Sequence, residues 1–125
     1  MSTGVIIFAH GSRIPAANDA VRAVTAEFAR AGKCPQVETA FLELGEPDLD
    51  GAVAALAARG VKRILVIPYF LTLGIHLERD LPGIVARLSG IHPNVEIRVT
   101  PPLDGHPALV QILLDRSRAA LADSD

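Results

Sequence analysis

Two short runs, Val5-Ile6-Ile7-Phe8 and Ile64-Leu65-Val66-Ile67, are apolar at every position. A strand of that kind has no polar side to offer water, so each of its faces needs a layer of helices. Two other runs are mixed. Val95-Glu96-Ile97-Arg98-Val99-Thr100 alternates, and Val37-Glu38-Thr39-Ala40-Phe41 does so in part, as strands at the rims of a sheet do. Strands are therefore predicted at 4–9, 36–42, 63–70 and 95–100.

Helical patterns fill the intervals. Pro15 suits a first helical position, Val21, Val24 and Phe28 recur on one face, and Gly32 supplies a stop. Asp48 is placed to cap a second helix holding Leu49, Val53 and Leu56, which ends at Gly60. Leu81, Ile84, Val85 and Leu88 form an i, i+3, i+4, i+7 stripe before Gly90, in a helix containing Pro82. Pro107 opens a last helix with Val110, Leu113, Leu114 and Leu121 expected inward.

Strands alternating with helices specify an α/β fold with a parallel sheet. Right-handed crossovers and two all-apolar central strands give the order 2-1-3-4, a flavodoxin-like three-layer sandwich with helices on both faces. Nothing reads as a linker, so one domain is expected over residues 1–125. Half of the residues are apolar and the mean hydropathy is +0.34. That is more than a compact monomer of this length readily buries, so part of it is expected against a partner.

Composition closes other routes. The net charge is −2 and there is no Trp, which leaves neither a basic field nor a stacking surface for nucleic acid. Cys34 is alone, so an intrachain disulfide, a Cys-x-x-Cys pair and a Cys-rich zinc site are all excluded. The apolar stretch at 64–75 is broken by Pro68 and Gly74 and is too short to span a bilayer. No Lys or Arg precedes Val5, so the N-terminal run lacks the form of a signal peptide. A cytoplasmic protein with no membrane or nucleic-acid partner is expected.

In a sheet of this order, ligands bind beyond the carboxyl ends of the strands, between the first and third. His10 follows the first strand, His76 lies in the loop after the third, and Glu43 opens on the same edge. Imidazoles and a carboxylate with open positions suit a divalent transition metal. His92 precedes the fourth strand and belongs to the opposite rim. His106 falls on the productive edge, where Gly105-His106-Pro107 also reads as a helix start. Arg13 and Arg79 flank the histidines and can grip carboxylates. Asp80 either orients the His76 imidazole or caps the helix containing Pro82. There is no Gly-x-Gly-x-x-Gly, Walker-type or Gly-x-Ser-x-Gly motif.

With these residues in view, the chain resembles the small class II tetrapyrrole chelatases, the short CbiX-type sirohydrochlorin chelatases. The resemblance rests on Ala9-His10-Gly11-Ser12-Arg13, on Ala40-Phe41-Leu42-Glu43-Leu44, and on the stretch from Ile67 through Phe70-Leu71-Thr72-Leu73-Gly74-Ile75-His76 to Pro82. It departs at Leu81, where Ile is usual, and at Asp104, where Gly is expected. The family implies insertion of Co²⁺, Fe²⁺ or Ni²⁺, with Co²⁺ favoured, into a sirohydrochlorin-type tetrapyrrole on the way to cobalamin, sirohaem or a nickel tetrapyrrole. The metal is then a substrate, and no tightly bound cofactor is implied.

The family further implies that the chain equals one lobe of the two-lobed chelatases and works as a homodimer. On the resemblance, His10 and His76 are the metal ligands and, with Glu43, the catalytic residues. Ser12, Arg13, Leu73, Gly74 and Arg79 are the substrate contacts. Leu71, Leu73, Ile75 and Leu77 either wall the flat ring or tuck into the core. Metal and proton compete for one imidazole lone pair, so acidification is expected to slow the reaction. Two other readings stand beside it. A non-catalytic metal or tetrapyrrole carrier would use the same residues. Histidine phosphatases also place His-Gly after a first strand, but they need Arg before the His, and here Ala9 stands there.

Overall fold

The computed structural model describes residues 2–123. Strands β1 (Thr3–Ala9), β2 (Val37–Phe41), β3 (Arg63–Pro68) and β4 (Glu96–Val99) alternate with helices α1 (Pro15–Ala31), α2 (Leu49–Ala58), α3 (Ile75–Ile91) and α4 (Ala108–Asp123). The sheet is parallel throughout, in the order β2-β1-β3-β4, as its apolar pattern predicts. β1 pairs on both sides, Val5 with Val37 and with Leu65.

The core lies on the face covered by α2 and α3. Ile6, Phe8, Ile64 and Val66 point into it and meet Val53, Leu56, Leu81 and Leu88. Asp48 caps α2 as expected, its carboxylate accepting from the Gly51 N–H at 2.8 Å. Arg87 of α3 then ties the two helices together through a two-pronged contact with Asp50 at 2.7 and 3.0 Å.

Two expectations are corrected. α3 begins at Ile75, so His76 sits on its first turn and not in a loop; Pro82 lies inside the helix, as expected. Proline removes one N–H from the helical ladder. Leu77, Leu81, Ile84, Val85 and Leu88 nonetheless keep one apolar stripe against the core on both sides of it. Asp80 is therefore no cap, because Gly74 holds that position.

On the opposite face α1 packs through Asn18 and Thr25, whose hydroxyl meets that of Thr39 at 2.8 Å. Its Val24 and Phe28 are exposed instead of facing the sheet. In α4, Val110, Leu113, Leu114 and Leu121 are exposed as well. Amphipathic spacing identifies an apolar face in both helices, and in neither does that face find the sheet. β3 registers the same shortfall: Ile64, Val66 and Pro68 are buried, while Leu65 and Ile67 on the α1 side are only half-buried. β4 ends the sheet with Glu96 bonded to Arg63 and Arg98 at 2.7 and 2.9 Å. No helix among the described residues is long and apolar enough to cross a membrane.

Candidate functional site

Parallel strands deliver their carboxyl ends to one rim, and at that rim β1 and β2 run on together past their last paired residues. Leu42 donates its N–H to Ala9 O at 2.8 Å, and Glu43 donates to His10 O at 3.1 Å. The two loops touch closely. Gly11 has φ +94°, and a Cβ there would stand 1.7 Å from Glu43 O. Only glycine accepts both the left-handed conformation and that approach.

The pairing places two functional side chains side by side. His10 Nε2 lies 3.8 Å from Glu43 Oε1, with both side chains more than half exposed. His10 Nδ1 is 3.2 Å from Gly11 O. A carbonyl only accepts, so Nδ1 carries the proton and Nε2 presents a bare lone pair toward Glu43. Metal-ligating histidines are commonly held in this way, one nitrogen donating to a carbonyl and the other on the metal. The Phe70 ring, 6.3 Å from the His10 ring and nearly perpendicular to it, supplies an apolar side to the site.

One residue of the site went unnoticed in the sequence. Asn18, 7% exposed on the first turns of α1, accepts from Ser12 N at 2.9 Å. It also donates to Ser12 O and Leu44 O, both at 2.9 Å. Its amide thus locks the loop carrying His10 to the loop carrying Glu43. The available signal was a buried-spaced Asn on the face shared with Thr25, where an apolar residue is usual.

His76 stands apart from that pair. Its one polar contact among the described residues is Arg79, whose Nη2 lies 3.4 Å from His76 Nδ1. Guanidinium only donates, so the contact engages a lone pair that a metal would otherwise use. Arg79 is held in turn by Asp80 at 3.0 Å. That hydrogen bond from Arg79 lowers the Asp80 carboxyl from its ordinary value. Asp80 therefore orients Arg79, and through it His76, without touching the imidazole. Among the described residues no three His, Cys, Asp or Glu side chains are gathered to hold a metal ion.

The remaining candidates are distributed around this rim. Ser12 and Arg13 line a cleft of about 390 Å³ with Asn18, Arg22 and Leu44. The Ser12 hydroxyl accepts from Ile14 N at 3.0 Å. Leu71 and Ile75 are exposed at 63% and 82%, whereas Leu73 and Leu77 pack toward the core. Gly74 takes the extended conformation that starts α3. His106 accepts from Ala108 N at 3.0 Å, which makes it the start of α4. His92 lies on the opposite rim, beside Pro93 and Asn94.

Comparison with known proteins adds to this geometry. The CbiX family model matches residues 4–120. A sirohydrochlorin cobaltochelatase of Methanopyrus kandleri is 29% identical over 95% of this chain and 97% of its own length. The chloroplastic sirohydrochlorin ferrochelatase of Arabidopsis thaliana is 32% identical over 95% of this chain, which spans 53% of it. Among solved structures, a CbiX protein from Marinobacter aquaeolei VT8 superposes with a TM-score of 0.84 at 29% identity, covering 97% of this chain and 98% of its own. The sirohydrochlorin chelatase SirB from Bacillus subtilis subspecies spizizenii, in complex with cobalt, gives 0.75 at 28% identity; the match covers 82% of this chain and 44% of SirB. The order β2-β1-β3-β4, the His10–Glu43 pair on its carboxyl rim and a family match across nearly the whole chain agree: this protein belongs to the CbiX family.

Proposed function

We propose that this chain is a sirohydrochlorin chelatase that inserts Co²⁺ by preference, with Fe²⁺ next, in the cytoplasm and on the way to cobalamin or sirohaem. The observation that carries the reading is His10, whose Nε2 lone pair is free and faces a carboxylate at 3.8 Å on an open rim. Imidazole with carboxylate is a donor set suited to a divalent transition metal, and an exposed pair can release what it holds. Cobalt is favoured because the Methanopyrus kandleri and Sulfolobus acidocaldarius relatives are sirohydrochlorin cobaltochelatases.

The reaction exchanges two pyrrole N–H protons for one M²⁺. His10 and Glu43 present the metal, and His76 joins as a ligand once Arg79 releases its Nδ1. Of the macrocycle nitrogens that bind the metal, the two that carry N–H give up their protons; as the metal leaves the protein, Glu43 accepts one and the freed His10 Nε2 the other. Leu71 and Ile75 offer apolar surface to the ring. Arg13, with no ion pair among the described residues, and Arg79 take its peripheral carboxylates. The active form is a homodimer, each chain serving as one lobe; this is supported by the apolar residues that α1 and α4 leave exposed.

The deciding measurement is anaerobic turnover of sirohydrochlorin, followed by absorbance, at substoichiometric protein with Co²⁺, Fe²⁺ and Ni²⁺ in parallel. Many turnovers are expected, fastest with Co²⁺. A reaction that stops at one equivalent marks a carrier and overturns the chelatase reading. Arg13→Ala is expected to raise the substrate KM about 10-fold with little loss of kcat, as removal of a binding contact does. An unchanged KM removes Arg13 from substrate binding.

A further inference from the structure

Leu44 has φ +58°, in the left-handed region where a β-carbon crowds the backbone. Burial does not hold it there, because the residue is 50% exposed. Backbone kept in so sparsely populated a region is over-determined by its surroundings, and such residues gather at functional sites. Leu44 directly follows Glu43, so its conformation aims the loop that carries the carboxylate. The peptide joining the two has its oxygen pressed against Gly11, and the next carbonyl, Leu44 O, lies 2.9 Å from Asn18 Nδ2.

α1 presents that loop with Asn18, Arg22 and Thr25, at i, i+4 and i+7, where an apolar stripe is usual. All three reach β2 or the loop after it. Thr25 meets Thr39 on the strand. Arg22 donates to Glu46 O at 2.9 Å and lies over the Phe41 ring, 5.0 Å from its centre. Asn18 takes the strained residue between them.

The three differ in what they can fix. Arg22 is exposed and shared with Asp19 at 2.9 Å. Thr25 acts before the loop begins. Asn18 is buried, and its amide is fully used, accepting from Ser12 N and donating to Ser12 O and Leu44 O. Ser12 N only donates and the two carbonyls only accept, so the amide has a single orientation. A β-carbon at Gly45 would stand 3.2 Å from Asn18 Nδ2, so the loop is also seated closely on that side chain. Without the bond to Leu44 O, a leucine disfavours the left-handed conformer by roughly 5- to 30-fold.

We propose that Asn18 is a positioning residue for metal capture: by holding the Leu44 carbonyl it keeps Leu44 left-handed, and thereby keeps the Glu43 carboxylate beside His10 Nε2. The inference rests on the proposed use of His10 and Glu43 as metal donors and adds the group that fixes their spacing.

The test is calorimetric titration of the folded, substrate-free chain with Co²⁺ alone, over the double-mutant cycle of Asn18→Leu and Leu44→Gly. Asn18→Leu is expected to weaken Co²⁺ binding about 10-fold, since apparent affinity falls with the fraction of chains in the competent conformer. Adding Leu44→Gly is expected to return the affinity to within about 3-fold of the unsubstituted chain, because glycine takes positive φ about as readily as negative. The urea midpoint is expected to stay low in both. Recovered affinity without recovered stability is a result that a merely structural Asn18 would not give. If the leucine variant does not fold, Asn18→Ala takes its place with the same expectations, since water meets the freed carbonyl in either conformation and anchors neither. Unchanged affinity in the Asn18 variant, or a loss that Leu44→Gly does not recover, overturns the positioning role and leaves the metal pair standing. If His10→Ala binds Co²⁺ as tightly as the unsubstituted chain, the reading of His10 and Glu43 as metal donors falls, and this inference with it.

Discussion

Gly11→Ala is expected to lower metallation by about 100-fold and stability by about 3 kcal/mol, although the new methyl touches neither metal nor substrate. The added Cβ would stand 1.7 Å from Glu43 O at a residue with φ +94°. Relief requires the two loops to part. Parting breaks the hydrogen bond from Glu43 N to His10 O and strains the Asn18 bridge to Leu44 O. The stability loss combines left-handed strain of about 1–2 kcal/mol with one or two hydrogen bonds of about 1 kcal/mol each. On the proposed function the activity loss follows because parting the loops separates His10 from Glu43. Urea unfolding and sirohydrochlorin turnover measured on one preparation check both halves. Wild-type turnover in a destabilised Gly11→Ala chain would separate the loop contact from catalysis.

His10→Ala is expected to lower turnover by about 100-fold or more while leaving the urea midpoint unchanged, since an exposed side chain outside the core is removed. His76→Ala is expected to match it in turnover. The two differ before substrate arrives. His10 offers a free Nε2, whereas Arg79 occupies His76 Nδ1. Calorimetric titration of the substrate-free protein with Co²⁺ is therefore expected to lose most of its affinity in His10→Ala and to keep most of it in His76→Ala. Equal loss in both would mean that Arg79 does not restrain His76 in solution.

The sheet was legible because its signal is nearly free of context. Val5–Phe8 and the run 64–67 need helices on both faces, the flanking strands do not, and crossover handedness leaves one order. Placement of His10 and Glu43 on one rim followed directly. The start of α3 was hidden because the apolar stripe was read only from Leu81, whereas it runs from Leu77 to Leu88 through Pro82. The faces of α1 and α4 were misread for a different reason. Spacing shows that Val24, Phe28, Val110 and Leu113 belong to apolar stripes, but it does not say which chain covers them. Asn18 was missed because its role lies in three partners brought together only by the folded loops.

The central position of β1 bears on how the protein is made. β1 is synthesised before both of its partners, Val37–Phe41 and Arg63–Pro68, which come about 30 and 60 residues later. At roughly 5–20 residues per second, Val5–Phe8 leaves the ribosome several seconds before β3 exists to cover its side. For that interval the most hydrophobic segment of the nascent chain has an unpaired backbone on at least one edge. Slower synthesis between β2 and β3 would lengthen that exposure.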